Sequence, residues 1–496
     1  DIRTGSQPAD AAAPGPQRGG GVRGGAPPQR GGGGTSSSDE PQKGTDSQEF
    51  LKKEERELLE IVRQRAAIRE EAEARRKREN KRKPFTLQAR QSIASLALSP
   101  DEKTVIASVS ESAQGAKTSV VPNFVTESAY TEDIPSRGKV GDVQPRNRLA
   151  LINVADGSVT WVDAGQKDRD VSLNRPEWSQ DGTKAVLSAR AADNKDRWIL
   201  ALDTTTGKTR VLATIHDDAW VGGPGAMTLG WMKNDRDVYY QCERDGYSHL
   251  YTVPFEGGEP RQLTSGKWEV QSARLSADKS TFYLTTNEGD PAEVHLYSMP
   301  ADGGERTKLT RMPGKHSGVW SRDDRFIADI YSYSNKPPEL YSMDSRVGAE
   351  ERKLTTSPAP DFNEYPWIDP PITRFTSRDG AQVPVRVYKP ANFQRGGPAV
   401  IFVHGAGYLQ NVHKGWQSSY YHEYLFHHIL VERGYLVIDT DYRGSAGYGR
   451  DWRTAIYRHM GGKDLSDQVD GAKYLISEHG VDAKRIGIYG GSYGGL

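Results

Sequence analysis

A single cysteine, Cys242, among 496 residues excludes an internal disulfide framework. Its scarcity does not separate a reducing cytosol from an extracytoplasmic setting. The compartment therefore stays unassigned, leaning periplasmic or secreted with the cytoplasm as the alternative. Net charge is also lacking: Lys+Arg and Asp+Glu both number 66, which removes any global argument for a nucleic-acid or membrane partner. No apolar run approaches the roughly 18 residues of a spanning helix, so no membrane span is expected. Asp1 stands where a Met would begin a complete reading frame, which leaves open a leader peptide lost or never recorded. The length itself allows more than one core, because single hydrophobic cores stop growing at roughly 250 to 300 residues.

Residues 1–46, rich in Gly and Pro, contain almost nothing to bury and are expected to form a disordered tail. Arg18, Arg23 and Arg30 stand beside glycines in an RGG-like manner, but no aromatic is interleaved for base stacking, and a linker is the better reading. Residues 47–84 then combine strong helix formers, no interior Gly or Pro, and acids placed four residues ahead of bases, with Pro84 as the stop. Leu51, Leu58, Leu59 and Val62 make a short apolar stripe that ends too early for a sustained coiled coil. The basic end from Arg75 to Lys83 is read as a solvated face.

Over residues 85–359 the texture changes to short alternating segments that repeat. "LALSPDEKTVIAS", "EWSQDGTKAVLS", "GWMKNDRDVYYQ", "ARLSADKSTFYL" and "GVWSRDDRFIAD" share an apolar or aromatic residue, a polar turn around Asp, and a strand. "HLYTVPFEGGEPRQLT", "HLYSMPADGGERTKLT" and "ELYSMDSRVGAEERKLT" follow the last three of them. A period of roughly 45 residues is that of a four-stranded propeller blade, and dividing length by period predicts roughly six to eight blades. Trp178, Trp231 and Trp320, at matching places, are expected to pack between blades. Residues 360–496 instead alternate buried strands with helical patterns. They read as an α/β sheet covered on both faces, its two leading strands antiparallel over 373–390. The fold class is thus an all-β propeller followed by a partial α/β-hydrolase domain.

Gly490-Gly491-Ser492-Tyr493-Gly494 fits G-x-S-x-G directly after the strand-like "RIGIY". Small residues let a sharp strand-to-helix turn lift a hydroxyl clear of the backbone, which predicts a nucleophilic Ser492. Upstream, "VHGAG" follows another buried strand, where such sheets place a second oxyanion donor. Serine needs a histidine to take its proton and an acid to orient that histidine, in chain order Ser, acid, His. All eleven histidines precede Ser492, so the triad is incomplete here, and the domain is expected to be cut after the elbow and inactive alone. His422, His427 and His428 sit on a helical segment and are read as packing or solvated groups, with no spacing that supports a metal.

These residues carry a resemblance. "GIYGGSYGG", "DYRGSAGYGRDWRTAIYRHMGGKDLSDQVDGAKYL" and "DGYSHLYTVPFEGGEPRQLTSGKWEV" resemble the prolyl oligopeptidase family of serine peptidases, within it the dipeptidyl peptidase IV branch. The resemblance implies a propeller capping a hydrolase that cleaves short peptides, often after proline, without a cofactor or metal. It also implies Ser492 as nucleophile and the Tyr493 amide as oxyanion donor. The family's second donor is commonly a tyrosine hydroxyl on the loop after the third hydrolase strand. That place is taken here by His404, with Tyr408 four residues on. The paired glutamates with which dipeptidyl peptidases grip a substrate amine are lacking; Tyr130, Glu132 and Asp133 offer only a faint echo, read as a solvated loop. A homodimer of the full-length protein is left open. The rival reading is a non-catalytic propeller scaffold with a degenerate hydrolase remnant.

Overall fold

The computed structural model describes residues 2–4, 45–79, 82–139, 141–405 and 409–495. Most of the expected tail therefore lies outside the described residues. The chain divides into two compact units, residues 1–91 with 152–159, and residues 92–151 with 160–496. In the first, a 34-residue helix spans Asp46–Glu79, with acids in its first turn and bases in its last, matching the helix dipole. Pairs such as Lys77–Glu73 at 3.4 Å support it from the surface. None of its residues is buried, so the stripe of Leu51, Leu58, Leu59 and Val62 is unpacked. Ile2–Thr4 pairs in parallel with Phe85–Leu87.

The repeats form sheets within residues 91–161, 171–216, 229–262, 270–308 and 315–353, each with a four-strand path in sequence order, and the last four lie wholly in the second unit. The described residues thus hold five blades, fewer than the division by period predicts. The physical reason is that the first blade spends residues between its second and third strands on a separate ribbon, Val120–Asn123 with Glu132–Pro135. Each S-x-D phrase of the repeat proves to be one hairpin corner. Ser179 donates to Asp181 at 2.6 Å while accepting the Lys184 amide at 3.0 Å, and Ser276–Asp278 repeats the geometry at 2.6 Å. The His-Leu-Tyr and Leu-Thr phrases are the other closure: His249 meets the Thr264 hydroxyl at 3.0 Å and His295 meets Thr310 at 3.0 Å, locking the third strand to the short fourth. Aromatic rings fill the seams between blades. Tyr283 stacks on Trp320 at 4.9 Å, Tyr239 meets Phe282 edge-on at 5.1 Å, and Trp231 is buried.

The corners make an acid-sensitive device. Serine hydroxyls and turn amides hold the carboxyls of Asp181, Asp278 and Asp323 down at about 2. An unfolded aspartate titrates near 3.9, so the stability these groups contribute is complete above about pH 4 and is lost as pH falls towards 2. Melting temperatures between pH 5 and 2 should therefore fall most steeply below pH 4, and less steeply with Asp181, Asp278 and Asp323 all changed to Asn. Equal slopes for the two proteins would contradict this origin.

Beyond the blades, β1 (Ile372–Thr376) and β2 (Gln382–Tyr388) form an antiparallel pair. β3 (Ala399–Val403), α1 (Tyr421–Glu432), β4 (Leu436–Thr440), α2 (Lys463–His479) and β5 (Ile486–Gly490) follow, in sheet order β1-β2-β4-β3-β5. β3 runs parallel to both β4 and β5. Near-continuous apolar strands suit burial on both faces. Val383, Val385, Ile401 and Ile438 pack with Leu475 of α2, whereas Tyr388 and Val437 pack with Tyr424 of α1. Among the described residues no helix is long and apolar enough to cross a membrane.

Candidate active site

β5 delivers the glycine-flanked serine. Gly490 lies opposite Val403 in the β3–β5 register, and the chain then turns sharply into a 3-10 helix over Ser492–Gly495. Ser492 sits at φ 57°, a left-handed conformation that costs a non-glycine residue on the order of 1–3 kcal/mol and is held only where the surroundings over-determine it. Its side chain is exposed at the apex. The flanking glycines are not equivalent. A Cβ on Gly490 would collide with the carbonyls of Gly494 and Val403, and one on Gly494 would collide with the Val403 carbonyl. One on Gly491 would meet nothing within 4 Å.

Tyr493 is fixed by its side chain. Its hydroxyl donates to Asp464 of α2, its ring stacks on Tyr442 at 6.3 Å, and burial together with Asp464 pushes the phenol pKa up. Its amide belongs to the first turn of the 3-10 helix, where no intrahelical acceptor exists. Across from the serine is Gly405, at the end of β3. A Cβ there would be 3.1 Å from Ser492 Cβ and 3.0 Å from the Tyr420 hydroxyl, which accepts the Gly405 amide at 2.6 Å. The Tyr420 hydroxyl thus borders the space in front of Ser492.

His404, singled out on sequence grounds as a donor, is turned inward. It is fully buried, with Nδ1 donating to the Gly405 carbonyl at 2.9 Å, Nε2 2.9 Å from Ser445 Oγ and 3.4 Å from Asp441, and its ring stacked on Tyr442 at 4.5 Å. Both ring nitrogens are committed to the loop's own framework. Tyr408 lies outside the described residues. Sequence reasoning missed Tyr420, because nothing local distinguishes it from Tyr421 beside it; only the start of α1 aims it back at Gly405, fifteen residues earlier.

Of the three α1 histidines, His422 is exposed, whereas His427 and His428 are internal struts. His427 Nε2 pairs with the Tyr489 hydroxyl at 2.7 Å, and His428 Nδ1 donates to the Tyr424 carbonyl at 2.8 Å. Burial holds the His427 pKa down to about 3 and lifts that of Asp439, 3.4 Å away, to about 7. Among the described residues no histidine hydrogen-bonds Ser492. Tyr130, Glu132 and Asp133 belong to the exposed ribbon of the first blade; Glu132 and Asp133 are strand residues rather than loop.

Residues 91–338, half of the chain, match the family model described as the dipeptidyl peptidase IV N-terminal region, and residues 422–496 match that of the prolyl oligopeptidase family. The chain belongs to this family. A probable dipeptidyl peptidase 4 of Aspergillus flavus is 28% identical over 376 residues, covering 72% of this chain and 48% of that protein. The dipeptidyl peptidase 4 of Trichophyton rubrum is 24% identical, covering 77% and 51%. The crystal structure of Porphyromonas gingivalis dipeptidyl peptidase 4 superposes with a TM-score of 0.70 at 23% identity, over 80% of this chain and 56% of that one. A putative dipeptidyl aminopeptidase IV from Bacteroides ovatus gives a TM-score of 0.67 at 22% identity, over 80% and 59%. These structures establish the family fold, a propeller followed by hydrolase strands. The chain spans about half the length of the curated relatives it matches.

Proposed function

We propose that Ser492 is the nucleophile of a serine peptidase that acts on short peptides, with cleavage after proline as the working specificity. The observation that carries this reading is the exposed Ser492 held at φ 57° between β5 and a 3-10 helix, on glycines that the backbone crossing requires. Ser492 Oγ attacks the scissile carbonyl carbon, its proton passing to a general base, and the tetrahedral oxyanion accepts from the Tyr493 amide. The second donor in this reading is the Tyr420 hydroxyl, with His404 as a positioning residue that shapes the Gly405 loop. Among the described residues no histidine hydrogen-bonds Ser492, so this chain by itself is expected to turn over a prolyl chromogenic substrate no faster than its Ser492→Ala variant.

A peptidyl-prolyl boronate tests the site without needing turnover, because it forms a tetrahedral adduct that mimics the oxyanion. The expected result is an adduct lost in Ser492→Ala and weakened about 100- to 1,000-fold in Tyr420→Phe, the scale of one oxyanion donor. Equal binding by Ser492→Ala would leave a propeller scaffold in place of an enzyme. Unchanged affinity in Tyr420→Phe would remove that residue from the site.

A further inference from the structure

The hydrolase loops at Gln410 and Gly447 and the inner ends of several blades enclose a cavity of about 620 Å³ whose charged lining is Arg190, Glu269, Lys315 and Arg453. The four are not equally occupied. Arg453 is committed to the Glu243 carboxylate, both being nearly inaccessible. Glu269 is buried, and burial with the nearby Glu243 lifts its pKa to about 7, so it carries only part of a negative charge at neutral pH. Arg190 donates to the Val221 carbonyl at 3.3 Å, and among the described residues no carboxylate lies within ion-pair reach of it.

Lys315 is the informative member. It opens the first strand of the last blade, and its stem crosses the hydrolase loop where residue 415 is glycine. A Cβ there would lie 2.7 Å from its Cγ and Cδ. Its ammonium also finds no carboxylate within ion-pair distance among the described residues. The carboxylate that acts on it through space, Asp441, already accepts from the Asn411 and Val412 amides at 2.7 and 3.0 Å and the Tyr448 hydroxyl at 2.7 Å. Burial and the neighbouring Arg386 bring the Lys315 pKa down to about 7 against the pull of Asp441. Held out of water without a counterion, the ammonium is therefore only partly charged at neutral pH, and an anion that enters the cavity favours its charged form.

We propose that this cavity binds a carboxylate of the peptide ligand, received by Lys315 and Arg190. The carboxylate is either the free C-terminus of a short peptide or an acidic side chain near the cleavage point. The peptidase reading supplies the ligand class, but binding does not depend on Ser492.

Calorimetry on the 496-residue chain tests this with Ala-Pro-Ala, its C-terminal amide, and Ala-Pro-Glu amide. The free acid is expected to bind at least about tenfold more tightly than Ala-Pro-Ala amide, the scale of one charge-assisted contact. Lys315→Met should erase that preference while leaving amide binding in place. Because Lys315 is packed, Arg190→Gln at an exposed position is the second variant, expected to reduce the preference with the fold unaffected. If Ala-Pro-Glu amide shares the gain, the site reads any carboxylate; if it does not, the site reads the peptide C-terminus. Equal binding of acid and amide, no binding of either, or a preference intact in both variants overturns the proposal. Ser492→Ala should keep the preference, so loss of the boronate adduct and loss of this preference report on separate claims.

Discussion

Gly494→Ala is expected to dismantle the bend at Ser492, whereas Gly491→Ala, three residues earlier in the same glycine-rich stretch, should be nearly silent. A methyl group at 494 would occupy the Val403 carbonyl and press within 2.9 Å of the His404 carbonyl, both backbone atoms of the neighbouring strand and its exit loop. Backbone cannot rotate away as a side chain can, so relief requires β3 and β5 to separate. An overpacking cost of at least about 3 kcal/mol is expected. β5 is the end strand of the sheet, paired only with β3 among the described residues, so it is the element that yields. Hydrogen exchange should show the β5 amides losing protection in Gly494→Ala, together with loss of the boronate adduct. Gly491→Ala should leave both unchanged, within about 0.5 kcal/mol of wild type. Similar behaviour of the two variants would show that the glycines serve flexibility and not the close crossing of two backbones.

Arg453→Ala should be among the most destabilising single substitutions in the chain. Arg453, on the short helix Arg450–Arg453, donates to Glu243 of the third blade, and each side chain is only 6% exposed. Arg450 extends the clamp, its amide reaching the Gly246 carbonyl at 2.7 Å and its guanidinium the Glu243 carbonyl at 3.2 Å. Removing Arg453 leaves Glu243 buried without its cation and within the influence of Glu269, and such an orphaned charge costs about 3–5 kcal/mol. Chemical denaturation followed by tryptophan fluorescence measures it. Replacing both partners, Arg453→Met with Glu243→Leu, should recover most of the loss, because the pair's own net contribution is small once both desolvation penalties vanish. An Arg453→Ala midpoint indistinguishable from wild type would show that Glu243 simply takes up a proton.

The parts of the fold legible in the sequence are those whose causes lie within a few residues. Ser179, Asp181 and Lys184 close one corner across five positions, so the blade repeat is visible as a phrase long before its hydrogen bonds are known. The Ser492 bend is visible for the same reason, since a strand, a serine and its glycines are adjacent in the chain. The number of blades is not legible by division, because residues spent on the ribbon at 120–135 lengthen the chain without adding a sheet to the propeller. The resemblance that puts His404 at the place of a donor says nothing about the direction of its ring. The ring direction is set by Ser445, forty-one residues further on, and by the Tyr442 ring beneath it.

What the sequence by itself determines about this protein is therefore its list of parts: a repeated antiparallel hairpin, an alternating α/β segment, and a serine poised on a glycine-bounded turn. What only the tertiary structure decides is which groups face which. Tyr420 instead of His404 borders the serine, Lys315 reaches the cavity past Gly415, and Gly494 instead of Gly491 lies against the backbone at the end of β3. The physical reason is range. Turns and periodicities are written by neighbouring residues, while the direction of a side chain and the charge it meets depend on atoms that the folded chain brings together from far apart.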